Sequence, residues 1–172
     1  MNDSASAGSG AADATRRVAI SYRFDAPRPE VFAAFTEPAQ IAQWWGPRGF
    51  FAPADRIEVD LRPGGRLDVI MVLASDEIAA GMGVPVGAEF PDCAEIIEVI
   101  DPELLVLRSD AQPEIGLPVP SVTRIEFHVD GTGTRVELTG GPYTPAMAPH
   151  AETGWRQSFD KLSWLLTKSS RG

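Results

Sequence analysis

The side chains of this chain that could carry chemistry are few and scattered. Its one cysteine, Cys93, excludes an internal disulfide. It could serve as a thiol nucleophile, but no pKa-lowering partner stands nearby. A small buried apolar role is the expectation. The two histidines are His128 and His150. His128 alternates with Phe127 and shares a face with Arg124 and Glu126, which points it to solvent. His150 stands near the start of the final apolar helix, beside Glu152. It could act as a general base at a cavity mouth. No serine or cysteine nucleophile and no third orienting group is spaced to support it. Two isolated histidines and one cysteine do not make a ligand set, so no metal and no other cofactor is expected.

The charged candidates are equally sparse. Asp60 and Arg62 stand two apart on a strand, on one face. An ion pair holding the following turn accounts for them. The alternative is that Arg62 meets a ligand carboxylate, which its forked guanidinium suits. Glu95 and Glu98 flank Ile96 and Ile97 and are expected on opposite faces, so that one can point inward. An inward carboxylate would have its pKa raised by desolvation. The four tryptophans all lie at or near expected helices. Core packing explains large aromatics of this kind. A stacking wall for a flat apolar ligand is the functional alternative.

These residues need elements to hold them. Val18, Ile20, Tyr22 and Phe24 alternate with polar positions, giving a strand. Asp25 stands at a helix N-cap position, with proline in the first turn. Val31, Phe32 and Phe35 then form one face of a short helix. A second short helix restarts at Pro38, carries Ile41, Trp44 and Trp45, and stops at Gly46-Pro47. Strands follow at 56–62, 67–73, 94–100, 104–109, 123–129 and 136–138. Residues 74–92 hold several glycines and prolines with no clean period and read as a long functional or mobile loop. Ile70 and Val72 make the strand before that loop apolar on both faces, which makes a homodimer through it plausible. A final helix runs over 148–169, with Trp155, Phe159, Leu162 and Leu166 on one face and Trp164 opposite.

Six strands in a row joined by short turns imply an antiparallel sheet. The last helix is the only element long enough to cover its apolar face. The fold class is therefore α+β, with one domain over 16–170. Residues 1–15 are too poor in apolar side chains to offset their ordering entropy and read as a disordered tail.

Bulk composition narrows the partners. Hydrophobic content of 44% supports a real core for one domain. A net charge of −9 argues against nucleic acid or an anionic membrane as the main partner. No run approaches membrane-spanning length and no signal peptide is visible, so a cytoplasmic location is expected.

Four segments in order carry a family resemblance: Ala26–Phe35 with its two prolines, Trp44-Trp45-Gly46-Pro47, Asp60-Leu61-Arg62-Pro63-Gly64-Gly65, and Gly154-Trp155 opening an apolar helix. The chain resembles the Aha1-type (activator of Hsp90 ATPase homologue) branch of the START/Bet v 1-like, or SRPBCC, superfamily over about 18–168. The resemblance implies a helix-grip fold, a six- or seven-stranded curved sheet wrapped around the C-terminal helix, with a cavity between them. Trp44, Trp45 and Trp155 fall where members of the family line or close the cavity mouth. Phe50, Arg62, Met71, Ile125, Phe127, Phe159 and Leu162 are the further candidates for its lining. The expected function is a binding module for a small apolar or aromatic molecule. A polyketide cyclase- or hydrolase-like enzyme using the same cavity, or an Hsp90-type co-chaperone, are the alternatives. The chain departs from the family pattern between its third and fourth strands. There the 74–92 segment replaces an Asp/Asn-Gly hairpin, and Ala94 stands at a usual glycine.

Overall fold

Alternation of apolar residues builds the sheet. In the computed structural model, which describes residues 15–169, strand β1 (Arg16–Phe24) buries Val18, Ile20 and Phe24 and turns Ala19, Ser21 and Arg23 to solvent. Two short helices follow, α1 (Arg28–Thr36) and α2 (Pro38–Trp44), each with proline at its start. Pro27, not Asp25, occupies the N-cap of α1, and no side chain caps it. Asp25 instead pairs with Arg23. Next come β2 (Phe50–Phe51), β3 (Ile57–Val59), β4 (Arg66–Leu73), α3 (Asp76–Met82), β5 (Glu89–Ile100), β6 (Leu104–Ser109), β7 (Ser121–Asp130), β8 (Gly133–Tyr143) and α4 (Ala148–Ser169). The expected tail falls outside the described residues apart from Thr15, which is exposed.

All the pairings are antiparallel, in the order β1-β8-β7-β6-β5-β4-β2, with β3 also on β4. Counting the two-residue β2, the curled sheet has eight strands. Helix α4 lies in its concave side. Phe159 on α4 meets Tyr22 and Phe24 of β1 at ring distances of 5.5 and 5.6 Å, and the Tyr22 hydroxyl donates to Asp160 at 2.6 Å. Lys161 ties the same helix to the far edge by donating to the Phe50 carbonyl at 3.1 Å. The Asp60–Gly65 corner turns β3 into β4, and only glycine fits its last position. A Cβ on Gly65 would stand 2.0 Å from the Asp60 carbonyl oxygen.

Two expectations need correction. The 74–92 segment is not a long loop. Ser75 caps α3 by accepting from the Ile78 N–H, and Gly83 in the left-handed region ends it. Strand β5 then starts at Glu89, five residues earlier than the pattern suggested, because Pro91 and the glycine-rich approach hide its alternation. The second correction concerns Glu95 and Glu98. They lie on the same, outer face, opposite Arg108 and Val106, because a β-bulge at Ile97 inserts one residue between them.

No helix among the described residues is long and apolar enough to cross a membrane.

Candidate functional site

Helix α2 ends at Trp44, and Trp45 is already extended, so two adjacent indoles part company. Trp44 turns into the core against Phe35, with its N–H donated to the Ala34 carbonyl at 2.9 Å. Trp45 turns toward the sheet, where its N–H donates to Asp92 Oδ2 at 3.0 Å. Asp92 pairs with Val69 in the β4–β5 ladder, and Val69 is fully buried. Directly paired residues share a face, so Asp92 points inward, in line with Ala94 and Ile96.

This is the inward carboxylate that the sequence suggested, carried by a different residue. Neither Glu95 nor Glu98 supplies it. The signal was the two-residue step Phe90, Asp92, Ala94, Ile96, masked by the assignment of 74–92 as loop. Burial pushes the Asp92 carboxyl above its ordinary pKa, the Trp45 bond draws it partly back, and the charge of Asp68 adds to the rise. Oδ1 has no hydrogen-bond partner among the described residues.

Tyr143 at the end of β8 joins this group. Its side chain is buried, and burial raises its pKa first, the negative charge of Asp92 second. The Trp155 indole N–H faces the phenol oxygen and offsets part of that rise. Trp155 also meets Trp45 at 5.5 Å, edge to face. Gly140 makes room for the phenol. A Cβ there would stand 3.3 Å from the Tyr143 hydroxyl and 3.5 Å from the Thr123 hydroxyl. Thr123 shares the inner face with Ile125 and Phe127. The N-terminal half of α4, the Trp45 corner and strands β5, β7 and β8 thus converge on a small polar group in apolar surroundings.

The sequence-derived candidates divide into three sets. Trp45 and Trp155 belong to this group directly. Met71 and Phe50 flank it on the neighbouring strands: Met71 sits opposite Phe90 in the ladder, and the Phe50 ring meets Phe90 at 5.4 Å. Trp44, Ile125, Phe127, Phe159 and Leu162 lie deeper and fill the core, none more than 2% exposed. Phe159 touches the rings of Tyr22, Phe24, Phe35, Trp44 and Trp155, and Phe127 those of Phe32 and Phe35. Arg62 is not brought to the group. Its side chain is 65% exposed and its Nε donates to Asp60 at 2.8 Å, the turn-holding pair.

The remaining nucleophile and base candidates lie elsewhere. Cys93 is half-buried on the outer face opposite Asp68. Burial raises its thiol pKa, with Asp68 and Asp92 adding to the rise, so the thiolate is disfavoured. His128 faces Glu126 on the outer side of the sheet at 3.2 Å, and His150 is exposed. No cluster of three or more His, Cys, Asp or Glu able to hold a metal occurs among the described residues. A groove of about 510 Å³ runs between α1, α2 and the C-terminal half of α4, over Ala33, Trp44, Leu162, Leu165 and Leu166. It lies outside the helix grip, and Trp44 and Leu162 form part of its lining from the core side.

A curled antiparallel sheet around a long C-terminal helix, with two short helices after the first strand, is the helix-grip architecture of START/Bet v 1-like domains. Within that class the chain belongs to the activator of Hsp90 ATPase homolog 1-like family, whose profile matches residues 25–167. Solved bacterial structures share the fold. Protein CV1439 from Chromobacterium violaceum is 22% identical, with a TM-score of 0.72, over 87% of this chain and 96% of that one. The AHSA1 protein SPO3351 from Silicibacter pomeroyi is 21% identical, with a TM-score of 0.71, over 90% and 99%. No curated protein matches the chain.

Proposed function

We propose that this protein is a small-molecule binding module. It takes an apolar or aromatic ligand between the sheet and the N-terminal half of α4, against Trp45, Trp155 and Met71. One observation carries the reading: a carboxylate oxygen, Asp92 Oδ1, without a partner among the described residues on the inner face. Asp92 is packed round by the fold, and its carboxyl is buried. A protein that only needed a core would have an apolar residue there, since a buried charge with one donor is costly.

The test is titration with N-phenyl-1-naphthylamine, an apolar probe that fluoresces when desolvated. Saturable one-site binding is expected, weakened at least tenfold by Trp155→Ala and unchanged by Leu165→Glu in the outer groove. Absence of saturable binding, or loss in Leu165→Glu with none in Trp155→Ala, overturns the reading.

Asp92 and Tyr143 also favour a second reading, a cyclase- or hydrolase-like enzyme acting on the same ligand. Both are inward and both have raised pKa values, as acid–base groups do. It predicts turnover of a bound polyketide-like substrate that Asp92→Asn abolishes while binding persists.

A further inference from the structure

On the outer side of α4, the corner after α2 meets the helix a second time. The Arg48 main-chain N–H donates to Gln157 Oε1 at 3.0 Å, and Lys161 Nζ donates to the Phe50 carbonyl at 3.1 Å. Gln157 and Lys161 stand four apart and share a helix face. The two bonds therefore lay the corner along that face, with Arg48 about one helical turn from Lys161. Both cations line a pocket of about 430 Å³ whose apolar wall is Trp164 and Leu165. The pocket lies outside the helix grip and shares Leu165 with the groove over Leu162 and Leu166.

Its charges are unmatched. The chain has two lysines, and both flank Trp164. Lys161 lies one turn before it, and the Lys168 ammonium stands over its ring at 4.9 Å. No carboxylate pairs with Arg48 or Lys161 among the described residues. Asp160, the one acid on the lining, accepts from the Tyr22 hydroxyl at 2.6 Å. Two cations against one carboxylate leave a place for one negative charge. Lys161 is half-buried, and burial lowers its pKa with no counter-charge to oppose it. Trp164 is 62% exposed, whereas the other three tryptophans are buried or half-buried. An exposed indole beside unpaired cations is the kind of surface that anchors a ligand.

We propose that this outer pocket binds an aromatic carboxylate. The carboxylate lies between the Arg48 guanidinium, whose fork suits it, and the Lys161 ammonium, which has protons left after its bond to Phe50. The ring lies against Trp164 and Leu165. The site is independent of the binding reading above, which places an uncharged ligand inside the grip.

Acetylation of Lys161 by acetic anhydride, followed by peptide mass spectrometry, reads the pocket directly. Saturating 2-naphthoate should slow that acetylation about tenfold or more in the wild type, and 2-methylnaphthalene, which lacks the charge, should not. Arg48→Ala and Trp164→Ala, both at exposed positions, should each raise the 2-naphthoate concentration needed for protection, by about tenfold and about fivefold. Trp155→Ala, inside the grip, should leave it unchanged. The inference is overturned if Lys161 does not acetylate in the free protein, or acetylates equally with and without 2-naphthoate. Protection that survives Arg48→Ala but is lost in Trp155→Ala also overturns it, and would leave the reading of the interior standing.

Discussion

Replacing Asp92 by asparagine changes one charge and almost nothing in shape, so it reports on the inner face with little other disturbance. The Asn oxygen can still accept the Trp45 N–H, which now lies 3.0 Å from Oδ2. In the folded protein the Asp92 carboxyl titrates above its ordinary 3.8, chiefly through burial. A carboxyl so raised holds its proton in the folded state at pH values where the unfolded chain has released it. Its contribution to stability is therefore greatest below about pH 3.8 and declines as pH rises toward the folded pKa, above which it is level. Asparagine has no such dependence. The stability of Asp92→Asn relative to the wild type should thus increase with pH, by about 1.4 kcal/mol for each pH unit well inside that window, and then flatten.

A double-mutant cycle adds the indole. Where Asp92 is ionised, Trp45→Phe removes a charge-assisted hydrogen bond in the wild type, worth about 1.5–3 kcal/mol. In Asp92→Asn it removes a neutral one, worth about 0.5–1.5 kcal/mol. The lost indole area is common to both backgrounds and cancels. The expected coupling is about 1 kcal/mol where Asp92 is ionised and shrinks as pH falls and Asp92 takes up its proton. Urea unfolding of the four proteins between pH 4 and 8 measures both effects. A stability difference independent of pH would refute the placement of Asp92 on the inner face under Trp45.

Two further predictions follow from packing and from thiol chemistry. Phe159→Ala removes a fully buried ring that touches five other aromatics and should cost about 3–5 kcal/mol in urea unfolding. Trp164→Ala, on the opposite side of the same helix and 62% exposed, should stay within about 0.5 kcal/mol. Cys93 should react with a thiol-directed disulfide reagent more slowly than free cysteine at pH 7.5, because burial and two neighbouring carboxylates oppose its thiolate. A faster reaction would show that the outer face around it is open and electropositive.

What the sequence reveals of this molecule is what local rules encode. Alternation along β1 and β7, the Asp60–Gly65 corner, and the four-three-four step from Trp155 to Leu166 each declare an element and its buried face without reference to anything distant. Helix α4 accordingly runs over the expected residues, and Trp164 faces outward as its spacing requires. The candidate site depends on facts of another kind. Whether Glu95 and Glu98 share a face is decided by one extra residue at Ile97, and a bulge is a property of the β5–β6 pairing, not of β5 alone. Whether Asp92 points inward is decided by its opposition to Val69 across the ladder. The adjacent pair Trp44 and Trp45 shows the same limit most sharply. Both are buried, and both lie at the end of one short helix. One indole N–H meets a main-chain carbonyl ten residues back, while the other meets a carboxylate 47 residues ahead. Residue type and spacing assign both the same structural role. Only the partner separates a core tryptophan from one that positions the buried carboxylate, and that partner is supplied by the long-range pairing of the sheet.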